Sequence, residues 1–202
     1  YTPFFQDLGR DAKLYSLWAR DILSGAARRD AYFMSPLYPY FLATLQRLFT
    51  RDLLVIRVIQ AMLGSGTAVL VFSVASRAFD RRVGIIAGLL AASYGAFIFY
   101  DGSLLLTPLL VFLCALFLEI LLRADESGSP VWYFVTGLIL GVAAIGKPSV
   151  LAFAPVAAFW VARGARRPAA ELGRSGRSGR LAWPAAVGLM ALAVVLVVTP
   201  VT

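Results

Sequence analysis

From residue 53 onward the chain is a series of apolar runs separated by short polar breaks. The runs 53–79, 83–100, 103–122, 131–146, 149–162 and 183–198 carry few charges and read as six transmembrane helices. Residues 53–79 are long enough to cross a bilayer with tilt. The runs 131–146 and 149–162 are short, and Lys147-Pro148 separates them. Gly64-Ser65-Gly66 offers a small-residue packing face. Among the breaks, Asp80-Arg81-Arg82 reads as a tight loop and Asp101-Gly102 as a turn. Arg163 to Arg180 reads as a basic loop rich in Gly, Ser and Pro.

Residues 1–52 follow another pattern. Leu14, Leu17, Trp18, Asp21 and Ile22 recur at helical spacing, with Lys13, Ser16 and Arg20 on the other side, and Gly25 closes the run. That predicts an amphipathic helix over Asp11 to Ser24, too polar to span and lying on the membrane surface. Arg28, Arg29 and Asp30 form a polar link. In the aromatic stretch Tyr32 to Phe41, Ser35 is a candidate N-cap with Pro36 at the first helical position. The helix it opens, to Phe49, is short for a span and polarised by Gln46 and Arg47, so it reads as a second interfacial or re-entrant helix. The expected fold is all-α and integral to the membrane. Residues 1–52 form an external loop with two juxtamembrane helices, and 53–202 a bundle of about six transmembrane helices.

Composition sharpens this picture. A mean hydropathy of +0.79 with 60% hydrophobic residues excludes an ordinary soluble domain. The net charge of +8 would raise nucleic acid as a partner in a soluble chain, but here the basic residues fall in loops between apolar runs, where they set topology and meet anionic lipid. Cys114 is the single cysteine and lies mid-run, so no intrachain disulfide forms. Arg77, Arg81, Arg82, Arg123, Arg163, Arg166, Arg167, Arg174, Arg177 and Arg180 fall in one alternate set of loops, which the positive-inside rule assigns to the cytoplasm. By parity residues 1–52, Asp101 and Lys147 share the external side. The six basic residues Arg10, Lys13, Arg20, Arg28, Arg29 and Arg47 argue mildly against this, and the agreement among the later loops outweighs them. The chain opens on Tyr1-Thr2-Pro3 and stops as a span finishes, which suggests part of a longer protein.

Topology thus gathers Asp11, Asp101 and Lys147 on one face. A carboxylate there suits deprotonation of an acceptor, and a cation suits neutralisation of a phosphate leaving group. Each residue also has a plainer reading. Asp11 opens a helix as an N-cap does, Asp101-Gly102 is an ordinary turn, and Lys147 before Pro148 snorkels. Arg57 snorkels or pairs with Asp52, and Glu119 makes a surface pair with Arg123 one turn on. Tyr38 and Tyr40 read first as interface anchors and second as sugar-stacking platforms.

Several motifs together resemble a known family. They are Asp-Ala-x-x-Tyr-x-x-Trp-Ala at Asp11 to Ala19 and Tyr-Phe-x-x-Pro-Leu-Tyr-Pro-Tyr-Phe-Leu-Ala at Tyr32 to Ala43. After them come Arg57-x-x-Gln60, Gly64, Arg77 with Phe79 and Arg81-Arg82, Tyr100-Asp101-Gly102, and Lys147-Pro148. The set resembles bacterial membrane glycosyltransferases of the GT-C superfold, and most of all glycosyltransferase family 39, the protein O-mannosyltransferase and lipid A aminoarabinose transferase group. The likeness runs over the whole chain, with Pro-Leu-Tyr-Pro-Tyr-Phe its most specific part. It implies a first span preceding this chain. It also implies a sugar transferred from a polyprenyl- or dolichyl-phosphate carrier, usually with inversion. The family's first-loop acid, the proposed base, falls on Asp11, with Tyr15 at the matching position, and its second acid falls on Asp101. Two departures stand out. Relatives often carry Asp-Glu where this chain has Asp11-Ala12, and the aminoarabinose transferases have Lys where Ser35 stands. Phosphate contact then falls to Lys147, with Arg57 as second candidate.

The expectation is a multi-pass glycosyltransferase of the bacterial inner membrane, acting at its external face. The donor is a polyprenyl-phosphate sugar and the acceptor a lipid or protein. Asp11 and Asp101 are catalytic, and Lys147, Arg57, Tyr15, Tyr38 and Tyr40 bind substrate. No metal is required: the chain has no histidine, and Asp11 with Asp101 is a thin ligand set for a divalent cation. The competing expectation is a non-catalytic GT-C-like scaffold or a subunit of a larger complex. A lipid-saccharide transporter ranks below both, because mid-span polar residues are scarce.

Overall fold

The two front helices form where the periodicity places them, but they turn different faces inward. In the computed structural model, which describes residues 10–26, 35–49, 52–165 and 182–201, α1 runs Arg10–Leu23 and α2 Leu37–Leu48. Tyr32, Phe33, the Arg28–Asp30 link and residues 166–180 of the basic loop lie outside the described residues. Asp11 occupies the first turn of α1 and Arg20 the last, each at the end of the helix dipole that suits its charge. Gly25, at φ 73°, ends the helix, and Ala26 N–H returns to the Asp21 carbonyl. The buried face of α1 is Ala12, Tyr15, Ser16 and Ala19, packed on α2. Leu14 and Leu17, expected on the apolar stripe, are exposed at 41% and 50%. The small alanines let α2 approach closely, which outweighs the greater hydrophobicity of leucine. At α2, Pro36 stands at the N-terminal boundary with helical angles, and its carbonyl accepts from Tyr40 N–H.

The apolar runs are all helical. Asp52 caps α3 (Leu53–Ala78) by accepting from Leu54 N–H at 2.9 Å. At 26 residues α3 is about 39 Å long, more than the hydrocarbon core needs. Asp80 caps α4 (Arg81–Ser93) with bonds from Arg82 and Val83 N–H. The expected single run 83–100 then breaks: α4 stops at Tyr94, and α5 (Gly95–Gly102) departs at 48°. Ser93 Oγ donates back to the Leu89 carbonyl and Gly95 follows, the local chemistry that kinks helices. Asp101-Gly102 is the final turn of α5 rather than a loop turn, and residues 103–105 form the elbow to α6 (Leu106–Ser127). α6 runs past the expected end at 122 until Gly128, at φ 67°. Next come α7 (Pro130–Gly146), a 3₁₀ turn at Pro148–Ala152, α8 (Phe153–Ala165) and α9 (Trp183–Val198). The expected run 149–162 therefore begins as 3₁₀ and becomes α-helical only at Phe153.

Among the described residues α3 and α6 are long and apolar enough to cross a membrane, and counting the bent α4–α5 pair as one span brings the candidates to three. α7, α8 and α9 are apolar but only 17, 13 and 16 residues long.

The chain divides into two compact units, Tyr1–Phe112 and Leu113–Thr202. In the first, α4 lies along α3, with Gly84 and Gly88 pressed on Phe72 and Ser76. A buried cluster at one end gathers Ala12, Tyr15, Ala19, Tyr38, Leu42, Ile56 and Leu104 from α1, α2, α3 and the elbow. In the second, α7 and α9 pack backbone to backbone, because Gly137 and Gly141 let Met190, Ala193, Val194 and Val197 approach. Glu119 does bond Arg123, at 2.7 Å, with the arginine side chain exposed and the carboxylate buried beneath it.

Candidate active site

α3 carries one polar, small-residue stripe along an otherwise apolar helix. Arg57, Gln60, Gly64 and Thr67 follow one another at three- and four-residue steps and so share a face. Gln60 and Thr67 are buried. The Gln60 amide nitrogen donates to the Ser103 carbonyl at 3.1 Å and reaches the Leu105 carbonyl at 3.5 Å, so it holds the elbow after α5. Thr67 Oγ1 turns back onto the Leu63 carbonyl. Gly64 and Gly66 do form a small-residue packing face, turned toward α5 and α6. Gly66 meets the Phe112 ring, and Gly64 meets Asp101.

Asp101 rests on Gly64. A methyl group placed on that glycine would overlap the carboxyl group of Asp101. The aspartate is half-buried, and beside it lies a small cleft bounded by Gly64, Thr67, Tyr100 and Thr107. The cavity measures about 10 Å³, the space of about one water. An aspartate in the last turn of α5 stands at the negative end of that helix dipole, the less favourable end for a carboxylate. Local rules of this kind are broken where a side chain has another task. Thr107, Tyr100 and Thr67 were not singled out as site residues from sequence; the periodic stripe on α3 is the signal that leads to them.

The remaining candidates of the first unit reach this elbow through packing. Tyr38 is fully buried and its hydroxyl is sealed from solvent, with the Gln60 side chain beside it but short of good hydrogen-bond geometry. Burial drives its pKa well above the usual tyrosine value; Gln60 opposes this and Tyr15 adds to it. Tyr15 meets Tyr38 edge-on at 4.9 Å between ring centres. Burial, and then the charge of Asp11 one turn away, raise the Tyr15 pKa too. Neither ring is open to a sugar in this arrangement: Tyr15 is 6% exposed and Tyr38 0%, because both fill the space between α1, α2 and α3. Tyr40, 50% exposed, keeps an open ring. Asp11 is exposed and lies within the helix rather than at its cap.

Arg57 is half-buried on the α3 stripe. Lys147 belongs to the second unit, where it is exposed and ends α7 ahead of Pro148. Among the described residues, no three His, Cys, Asp or Glu side chains gather where a metal ion would be held.

No curated protein and no solved structure matches the chain. A family model does match, over residues 34–201, from α2 to the end of α9. The match takes in Tyr38, Arg57, Gln60, Gly64, Asp101 and Lys147 and begins after Asp11. Together with its apolar helices it makes this a multi-pass membrane glycosyltransferase of GT-C type. By that match the chain belongs to the dolichyl-phosphate-mannose-protein mannosyltransferase family.

Proposed function

We propose that the protein transfers a sugar from a polyprenyl-phosphate carrier to a hydroxyl of a lipid or protein acceptor at the external face of a bacterial inner membrane. The observation that carries this reading is the half-buried Asp101 carboxylate, seated on the α3 backbone beside a cleft at a break between apolar helices, in a chain of this family. Asp11 takes the proton of the acceptor hydroxyl. The freed oxygen forms a bond to the anomeric carbon, and the bond from that carbon to the phosphate oxygen breaks. The polyprenyl phosphate leaves with the electron pair, and the sugar centre inverts. Asp101 orients the sugar or the acceptor. Lys147, with Arg57 as second cation, meets the charge that grows on the phosphate. Tyr40 offers an open ring for contact with the sugar. The step needs no bound metal.

The test uses the full chain in proteoliposomes with dolichyl-phosphate mannose, following release of dolichyl phosphate. Asp11→Asn and Asp101→Asn should each lower the rate by about a hundredfold or more while melting as the wild type does. EDTA should leave the wild-type rate unchanged. A wild-type chain that consumes no polyprenyl-phosphate sugar would favour the non-catalytic scaffold. Full activity of Asp11→Asn alone would remove the base from that position and leave the family reading intact.

A further inference from the structure

We infer that Gly64 and Gln60 are positioning residues for Asp101: Gly64 leaves the seat that its carboxyl group occupies, and Gln60 anchors the elbow that brings it there. The inference rests on the reading of Asp101 as a working carboxylate.

A glycine within a helix is less stable than alanine, so its presence mid-helix asks for a reason. Around Gly64 the reason is specific. The three atoms nearest to a methyl group placed there are Oδ2, Cγ and Oδ1 of Asp101, all within overlap distance. Gly66, one step along the same helix, is different: its methyl would approach only the Phe112 ring, at 3.1 Å. Gly64 is thus shaped to one side chain, and that side chain is an acid.

Gln60 lies one turn earlier on the same stripe. Its amide nitrogen holds the Ser103 carbonyl, two residues after Asp101, at 3.1 Å. Its amide oxygen is buried, and the Gln60 side chain also neighbours Tyr38. A buried amide that grips backbone fixes the path of the chain rather than any ligand. Both contacts come from one face of α3, one beneath the carboxylate and one on the backbone that follows it. A carboxylate held in this way is pre-organised toward the cleft lined by Thr67, Tyr100 and Thr107.

A double-mutant cycle decides the matter, with Gly66→Ala as the control. Gly64→Ala should lower kcat on dolichyl-phosphate mannose by about a hundredfold, with KM changed less than about twofold, while Gly66→Ala stays near wild type. In an Asp101→Ala background the carboxyl group that the added methyl would overlap is gone. There Gly64→Ala should leave the residual rate unchanged and should not lower the melting temperature. Gln60→Met keeps length and burial but cannot donate, and should lower kcat only while Asp101 is present. The melting cycle needs no substrate: Gly64→Ala should depress melting, and Asp101→Ala should restore it. If Gly64→Ala is fully active, or costs the same in both backgrounds, the inference is overturned. If Asp101→Ala is itself fully active, the fault lies in the reading of Asp101; if Asp101→Ala is impaired and Gly64→Ala is not, it lies in the inference alone.

Discussion

At the scale of single residues, Tyr38 shows a motif residue given over to packing, its ring and hydroxyl buried between helices. Its hydroxyl is shut between α2 and α3 with the Gln60 side chain beside it, and its ring packs on Tyr15. A phenolate in that space would be desolvated, so burial holds the proton on well above the ordinary pKa. An unfolded tyrosine loses its proton near pH 10, whereas the folded one keeps it, so above that pH the unfolded state binds fewer protons and stability falls. Below about pH 9 both states are neutral and the residue contributes no pH dependence. Melting of the wild type should therefore be flat from neutrality to about pH 9 and fall above about pH 10. Tyr38→Phe should flatten that alkaline limb and cost no more than about 1 kcal/mol at neutral pH, since the hydroxyl has no well-formed bond to lose. An alkaline limb of unchanged steepness in Tyr38→Phe would refute this account. Tyr38 then acts through position, as part of the packing that joins α1 to the elbow of Asp101.

At the scale of elements, hydrophobic period located the helices but not their contacts. All six apolar runs are helical, because runs of that length and composition leave the backbone no other way to satisfy its polar groups. The break at Tyr94 was not read from the sequence, since Ser93 and Gly95 flank it inside a run that carries no charge. The inward face of α1 was missed for a related reason: Ala12 and Ala19 score below Leu14 and Leu17, yet smallness decides which face meets a helix. Asp101 was legible as a candidate, but its seat was not, because Gly64 read as a generic small-residue face. The same physics yields a paired prediction in the second unit. Gly137 lies against the backbone of Met190, and a methyl there would press on the Met190 Cα and Ala193 Cβ, both at 2.8 Å. Gly188, on α9, has nothing within 4 Å of such a methyl. Gly137→Ala should therefore destabilise by roughly 1–3 kcal/mol as α7 and α9 part. Gly188→Ala should be neutral or stabilise by up to about 1 kcal/mol through helix propensity. Thermal unfolding in detergent would separate the two, and equal effects would show that α7 and α9 do not meet through Gly137.

At the scale of the molecule, the first unit has two chemically distinct ends. At one, α1 and α2 pack with the start of α3 and with Leu104 of the elbow, so the surface helices and Asp101 belong to the same end. At the other, the α3–α4 turn carries exposed Arg77, Arg81 and Arg82 around the Asp80 cap. α3 and the bent α4–α5 pair run between them, each apolar and each turning large aliphatic side chains outward, Met62 and Val69 on one and Ile86, Leu89 and Ile98 on the other. Such surfaces are stable in lipid and costly in water. In the proposed arrangement the membrane lies across the middle of the unit, with the arginine turn on one side and the α1–α2 pair on the other. The orientation proposed above, with the arginine turn cytoplasmic and the acid-bearing end outside, follows the positive-inside rule. Single cysteines test this directly once Cys114 is replaced by alanine. Cysteines at Leu17 and Gly102 should react with a membrane-impermeant maleimide added outside intact cells, and one at Arg81 only after the membrane is opened. Labelling of Leu17 and Gly102 from opposite sides would break the link between the surface helices and the elbow. Labelling of Arg81 from outside would invert the orientation and put the proposed transfer on the cytoplasmic face.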